Sequence, residues 1–165
     1  MFVRSERHGD AELIYALHAA NFPTPAEAKL VDLLRNANRL KVSLVAESDG
    51  HIVGHIAFSP VTVFSGATGA GLAPVAVSEL YRRQGIAAAL VQEGLKACQA
   101  IGFGWVVVLG EPEYYARFHF RPATELGLSD EYGGGAAFQI LELVPGALPV
   151  GAGLVRYAEE FASLV

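Results

Sequence analysis

Arg82-Arg83-Gln84-Gly85-Ile86-Ala87 sets two guanidinium groups, a glycine and small apolar residues between an apolar run and an alanine-rich one. Such a stretch is equipped to hold an anion. Free N–H groups at a helix start point outward, and the helix dipole adds roughly half a positive charge there. Gly85 lets the backbone approach a phosphate closely, and Ala87 and Ala88 keep side chains clear. Arg82 and Arg83 add charge-assisted contacts of the kind guanidinium makes with phosphate. The competing reading is an ordinary strand-to-helix turn carrying two solvated arginines. No Lys-Ser or Lys-Thr pair follows Gly85 and no GxGxxG spacing is present, which removes the nucleotide-triphosphatase and Rossmann readings. His8, His18 and His51 have no metal-ligand spacing with a carboxylate or thiol, and Cys98 falls on the inward stripe of a predicted helix. Neither a metal nor a nucleophilic cysteine is expected.

The elements around this loop follow from periodicity and punctuation. Asp10 precedes Leu13, Ile14, Leu17 and Ala20 at helical spacing and is the expected N-cap. Thr24-Pro25-Ala26-Glu27 predicts a second helix start, with Leu30, Val31, Leu33 and Leu34 as its apolar face. Lys41–Glu47 and Ile52–Ser59 are β-type runs joined by Ser48-Asp49-Gly50, a hairpin signal. A strand over Leu72–Val77, a helix over Gly85–Ala100 and a buried strand over Trp105–Leu109 give a parallel, right-handed βαβ crossover. That helix should turn Ala87, Leu90, Val91, Leu95 and Cys98 inward. Pro112 opens a short helix through Phe118, and Phe138–Val144 returns to a strand. Ser129–Gly135 and Pro145–Gly153 read as loops, and Leu154–Val165 as strand, helix or both.

Composition bounds the answer. A chain of 165 residues with 52% hydrophobic and 18% charged residues is a folded protein, expected as one domain over 1–165. Lys plus Arg total 12 against 17 Asp plus Glu, a net charge of −5. Nucleic acid and anionic membranes are therefore not expected partners, although a local basic pocket is compatible with that balance. One cysteine excludes an intramolecular disulfide framework. No apolar run reaches the ~20 residues that span a bilayer. The segment Met1 to Arg7 carries charges where a signal peptide is apolar, so the expected location is cytoplasmic.

The ordered set of features resembles the GNAT N-acetyltransferase superfamily. Its [Q/R]-x-x-G-x-[G/A] pattern is matched by Arg82, Gly85 and Ala87, preceded by Pro74-Val75-Ala76-Val77. Tyr115-Ala116-Arg117-Phe118-His119-Phe120 resembles the family's Tyr-x-x-x-Gly-Phe helix end, with His119 where glycine is usual. That turn is expected to close without the positive φ that glycine allows. The likeness covers about Leu40 to Phe120, and Leu109-Gly110-Glu111-Pro112 with the longer tail resembles a bacterial subgroup of predicted acetyltransferases. It implies a mixed α/β fold: a mostly antiparallel sheet of six or seven strands, one splayed parallel pair, and helices on both faces.

The resemblance also implies acetyl-CoA as cosubstrate. Its pyrophosphate would lie on the backbone of Gln84, Gly85, Ile86, Ala87 and Ala88, with Arg82 and Arg83 alongside. Its pantetheine arm would run along Val75, Ala76 and Val77, and its thioester would sit between the splayed strands. Tyr115 then stands by the sulfur as general acid or thiolate hydrogen-bond donor, with Tyr114 about 100° away on the helix. Transfer to a lysine-like amine near pKa 10.4 requires loss of a proton, costing roughly 4–5 kcal/mol at pH 7. For the base, Glu111 leads over Glu79, Glu113 and His55, with a water chain as the alternative. The acceptor is an amine, expected to be small, attacked directly without an acetyl-enzyme. Two other readings stand: a non-catalytic acyl-CoA-binding sensor or interaction module, and a homodimerisation role for the apolar tail from Ala136 to Val165.

Overall fold

In a computed structural model describing residues 1–64, 66–149, 151 and 153–164, the chain winds around one nine-stranded sheet. Strand β1 (Phe2–Ser5) leads into helices α1 (Ala11–Asn21) and α2 (Ala26–Asn36). Strands β2 (Val42–Ser48), β3 (His51–Val63) and β4 (Thr68–Val77) follow as an antiparallel meander. Helix α3 (Ile86–Ala100) then crosses to β5 (Trp105–Leu109), which lies parallel to β4. A short α4 (Pro112–Ala116) and strands β6 (Arg121–Pro122), β7 (Leu128–Asp130), β8 (Phe138–Glu142) and β9 (Gly153–Arg156) complete the chain. The main path runs β1-β2-β3-β4-β5-β8-β6, while β7 pairs with β9, and β9 with the end of β3.

Period-two alternation builds two cores. Val106 and Val108 pack with Leu90, Val91 and Cys98 of α3 and with Tyr115 and Phe118. Trp105 and Val107 turn the other way, toward Leu30 and Leu34 of α2 and toward Tyr157 and Phe161. Helices therefore cover both faces. In the β2–β3 turn Asp49 and Gly50 take φ of 53° and 76°, the pair of positive values that a type I′ hairpin needs.

The splayed pair has a geometric origin. Parallel pairing of β4 with β5 covers only Ala70↔Val106, Gly71↔Val107 and Leu72↔Val108. On the other side of β4, Leu72 pairs with Phe58 and Val75 with Ile56, so Ala73 and Pro74 together oppose Ala57. This bulge bends β4 away from β5. Past it, β4 keeps β3 as its ladder partner, and the edge from Ala73 to Val77 is open toward β5.

Several expectations need correction. The Asp10 carboxylate does not cap α1; it accepts from the Arg7 N–H at 2.7 Å and from Arg4 at 2.7 Å, because an arginine competes better than the helix amides. Within α3 the buried stripe is Ile86, Leu90, Val91, Gly94 and Cys98, with Ala87 and Leu95 at its margin. Gly94 is where Phe58 of β3 approaches most closely, since a Cβ there would lie 2.3 Å from its ring. The fourth helix stops at Ala116 rather than Phe118, and β8 stops at Glu142. Strand β7 runs into the Ser129–Gly135 segment read as a loop, β9 takes the strand alternative offered for the segment after Gly153, and the two form a second parallel pair. The apolar residues Phe138, Ile140, Val155 and Phe161 of the tail are buried within this chain. Val150, Ala152 and Val165 of those segments lie outside the described residues.

Candidate active site

Three adjoining cavities follow the open edge of β4. The first, of about 400 Å³, lies at the splay between Leu72–Val75 and Val108–Leu109, with Tyr115 in its wall. The second, of about 280 Å³, shares Phe22 and Val75 with the first and continues along Ala76 and Val77. The third, of about 200 Å³, shares Val77, Arg82 and Ala87 with the second and lies against Gly85, Ile86 and Ala88. One channel thus links the predicted anion loop, the predicted pantetheine strand and the predicted tyrosine.

At the loop end, Gly85 has φ of 80° and Arg83 φ of 63°, so the chain makes a tight left-handed passage before α3. The first bond of α3 is from Ala89 N–H to Gly85 O, 3.0 Å. The N–H groups of Ile86, Ala87 and Ala88 are left without an intrahelical acceptor, beside the cavity they line. Arg82 lines that cavity, but its Nε donates to Val77 O at 3.1 Å and its Nη2 to Asn21 Oδ1 at 2.6 Å. It braces the end of β4 against α1, whereas Arg83 and Gln84, exposed like Arg82, make no such side-chain bond among the described residues. Arg117 and Tyr114 also line this cavity, the Arg117 guanidinium 4.3 Å from the Tyr114 ring centre. The sequence reading assigned neither of them here; their signal was the Tyr114-x-x-Arg117 spacing, which puts both on one side of a helical turn.

Tyr115 is held rigidly. Its ring packs edge-on to Tyr114 at 5.1 Å and Phe120 at 5.7 Å, and it lies over the backbone of Gly110, where a Cβ would come within 2.4 Å. Burial, with Tyr114 adding to it, pushes the Tyr115 phenol up to about 12, so at neutral pH it is a protonated donor. Glu111 precedes α4 and is exposed, as are Glu79 and Glu113, and none of the three lines the first cavity. His55 is fully buried and bonded at 2.8 Å to His18 and at 2.8 Å to Ser43, away from the channel.

The first cavity has a second wall that the sequence reading missed: Phe22 after α1, Glu27 and Leu30 of α2, Tyr132 after β7, and Tyr157 and Phe161 after β9. Glu27 was legible as part of a helix start. The helix instead starts after Pro25 without a side-chain cap; Thr24 Oγ1 accepts only from Ala26 N–H at 3.3 Å, and the Glu27 carboxylate has no hydrogen-bond or salt-bridge partner among the described residues.

With this geometry in hand, the chain matches the model of the Acetyltransferase (GNAT) family over residues 11–120. It is 43% identical over 164 residues to the N-acetyltransferase YhbS of Escherichia coli, covering 98% of each chain. It is 35% identical over 121 residues to the N-acetyltransferase YjhQ of the same organism, covering 70% of this chain and 66% of that one. The crystal structure of E. coli YhbS in complex with CoA superimposes with a TM-score of 0.92 over 98% of this chain and 91% of that one. A GNAT family acetyltransferase from Brucella melitensis, in complex with acetyl-CoA, is 36% identical with a TM-score of 0.81 over 97% of each chain.

Proposed function

The chain belongs to the acetyltransferase (GNAT) family, and from that premise we propose that it transfers an acetyl group from acetyl-CoA to a primary amine by direct attack. The observation that carries this reading is the continuous channel from the free N–H groups of Ile86–Ala88 to Tyr115. The pyrophosphate rests on the loop from Gln84 to Ala88, where main-chain donors and the positive end of α3 meet it. Arg83 and Arg117 add charge, while Arg82 holds the end of β4 in place. The pantetheine arm extends along Val75, Ala76 and Val77, whose edge β5 has left open. Relatives crystallised with CoA and acetyl-CoA support this order of parts.

In the reaction the neutral amine attacks the thioester carbonyl. A C–N bond forms, the C–S bond breaks, and the products are an N-acetyl amine and the thiol of CoA. The amine nitrogen loses one proton to water, and the sulfur departs as thiolate under a hydrogen bond from Tyr115, then takes a proton from solvent to become the thiol. A phenol near 12 is a much weaker acid than a thiol near pKa 8.5, so Tyr115 acts as a donor to developing thiolate rather than by complete transfer. Glu111 is the sequence candidate for base, but its exposed position outside the cavity favours water as the proton acceptor.

Titration calorimetry with acetyl-CoA, paired with thiol release in the presence of an amine panel, tests the proposal. Binding together with amine-dependent thiol release is the expected result. Binding without release from any amine would instead support the acyl-CoA sensor.

A further inference from the structure

The second wall of the first cavity carries information about the acceptor. Resting on the acetyl-transfer reading above, we infer that the acceptor is a small primary amine on an apolar, aryl-sized body that bears no carboxylate: an arylalkylamine.

Three observations converge. The cavity is about 400 Å³, near the lower end of the ~300–1,000 Å³ range for small-molecule sites, and the thioester tip must share it. That leaves room beside the thioester for a compact amine-bearing group. The wall facing the splay is apolar and aromatic, formed by Phe22, Leu30, Tyr132, Tyr157 and Phe161. Such a surface gains by covering a ring and offers few partners for a polyhydroxylated body.

The third observation is charge. Among the described residues Glu27 is the one charged side chain lining the cavity, and its carboxylate has no partner there. An ammonium ion beside it makes a charge-assisted bond in a half-enclosed site. Behind the aromatic wall the nearest carboxylates are already engaged. Asp130 accepts from the N–H groups of Tyr132 and Gly134 at 2.9 and 2.7 Å, and Glu131 accepts from Tyr157 N–H at 2.8 Å. The nearby cations are turned elsewhere: Arg39 pairs with Glu160, Arg156 with Glu131, and Lys29 is exposed. A ligand carboxylate would meet no cation in the wall and would face Glu27. The field therefore selects an amine without an acid group, against an amino acid of the same shape.

Phenethylamine and phenylalanine differ by that one carboxylate. Each is titrated by calorimetry into the CoA-loaded protein, where no turnover occurs, and then supplied with acetyl-CoA while thiol release is followed. Phenethylamine is expected to bind at least 10-fold more tightly than phenylalanine. Glu27→Gln should weaken phenethylamine at least 10-fold while leaving CoA affinity and melting temperature unchanged. Equal or tighter phenylalanine binding, or an unaffected Glu27→Gln variant, overturns the inference. So does acetylation of kanamycin or phenylalanine without acetylation of phenethylamine, and that outcome leaves acetyl transfer intact. Conversely, Glu27-dependent binding of phenethylamine without thiol release keeps the ligand class and removes acetyl transfer.

Discussion

The two ends of the channel are built by different means. At the proposed coenzyme end the groups are main-chain N–H donors and an open strand edge between Ala73 and Ala88, with Arg83 and Arg117 alongside. At the acceptor end they are side chains drawn from Phe22, Glu27, Tyr132, Tyr157 and Phe161, which come from four separate stretches of the chain. A backbone site needs small residues and particular dihedral angles in one contiguous segment. A side-chain site needs only that the fold bring its parts together. The first kind tolerates little change within a short segment, whereas the second can be rebuilt one residue at a time.

If the contrast is right, the largest effect should come from breaking the backbone at the coenzyme end. Gly85 sits at φ of 80°, and proline is confined near −65° and has no N–H. Gly85→Pro must turn the loop over and lose donors, each charge-assisted bond to phosphate contributing about 1.5–3 kcal/mol. Losing two of them lowers acetyl-CoA affinity roughly 10²–10⁴-fold. Calorimetry on a variant with native far-UV and near-UV circular dichroism is the check. Affinity retained within a factor of three would remove the loop from the site.

Tyr115 lies where the two ends meet. Tyr115→Phe should lower kcat by roughly 10–10³-fold, the span from one neutral donor to a donor in a water-excluded site. Coenzyme affinity should hold, and kcat and kcat/KM should fall together because the bond strengthens as charge reaches sulfur. The wild-type pH profile should show no loss of activity from Tyr115 through pH 10, since burial keeps its phenol protonated. Tyr114→Phe serves as control. A turnover loss confined to the Tyr114 variant would transfer the role to that side chain.

This difference in construction explains what was readable beforehand. The βαβ unit and the turn before α3 were legible because dihedral demand and apolar periodicity are local signals, carried by Gly85, Ala87 and the run Trp105–Val108 in adjacent residues, whereas Tyr115 was singled out by the family resemblance. Glu27 was visible only as a capping residue, because nothing within four residues of it signals that Tyr157 will face it across a cavity. Strand β7 hid beside a Gly-rich stretch, and β9 was left undecided between strand and helix, because both are short and borrow their ladders from each other and from β3. The bulge at Ala73-Pro74 was likewise invisible, being a property of the β3–β4 register.

The acceptor side should also be the side that acid loosens. His18 of α1 is buried, stacks on Phe22 at 5.9 Å, and shares a 2.8 Å hydrogen bond with His55. The pair continues through Ser43 to Glu6, which is held by Arg35. Burial depresses His18 to about 4, and burial, then His18 and Arg35, depress His55 well below its ordinary value. The unfolded chain, with histidine near 6.5, binds more protons in this window, so stability is full above about pH 6.5 and declines as pH falls toward 4. For His18 alone the loss is about 2 kcal/mol at pH 5. Melting temperatures at pH 7 and pH 5 measure it, and a flat profile would mean the imidazoles reach water.

The smallest expected effect belongs to the coenzyme side and concerns a residue type rather than a contact. His119 closes the turn after α4 with φ of 74°, so this turn does use the left-handed conformation that glycine normally supplies at that place in the pattern. Its N–H donates to Ala116 O at 3.0 Å, a bond that any residue makes. Its side chain is exposed and lines none of the three cavities. A non-glycine residue there costs about 1–2 kcal/mol. Glycine relieves that cost and gives back about 0.4–1 kcal/mol through the entropy of the unfolded chain. His119→Gly should therefore stabilise by up to about 1.6 kcal/mol, a rise of up to roughly 6 °C in melting temperature. His119→Ala, which keeps the Cβ that resists positive φ, should give no gain. Activity should be unchanged in both. A His119→Gly variant that is less stable would mean that the imidazole holds the turn, and one that loses turnover would mean that it serves this end of the channel.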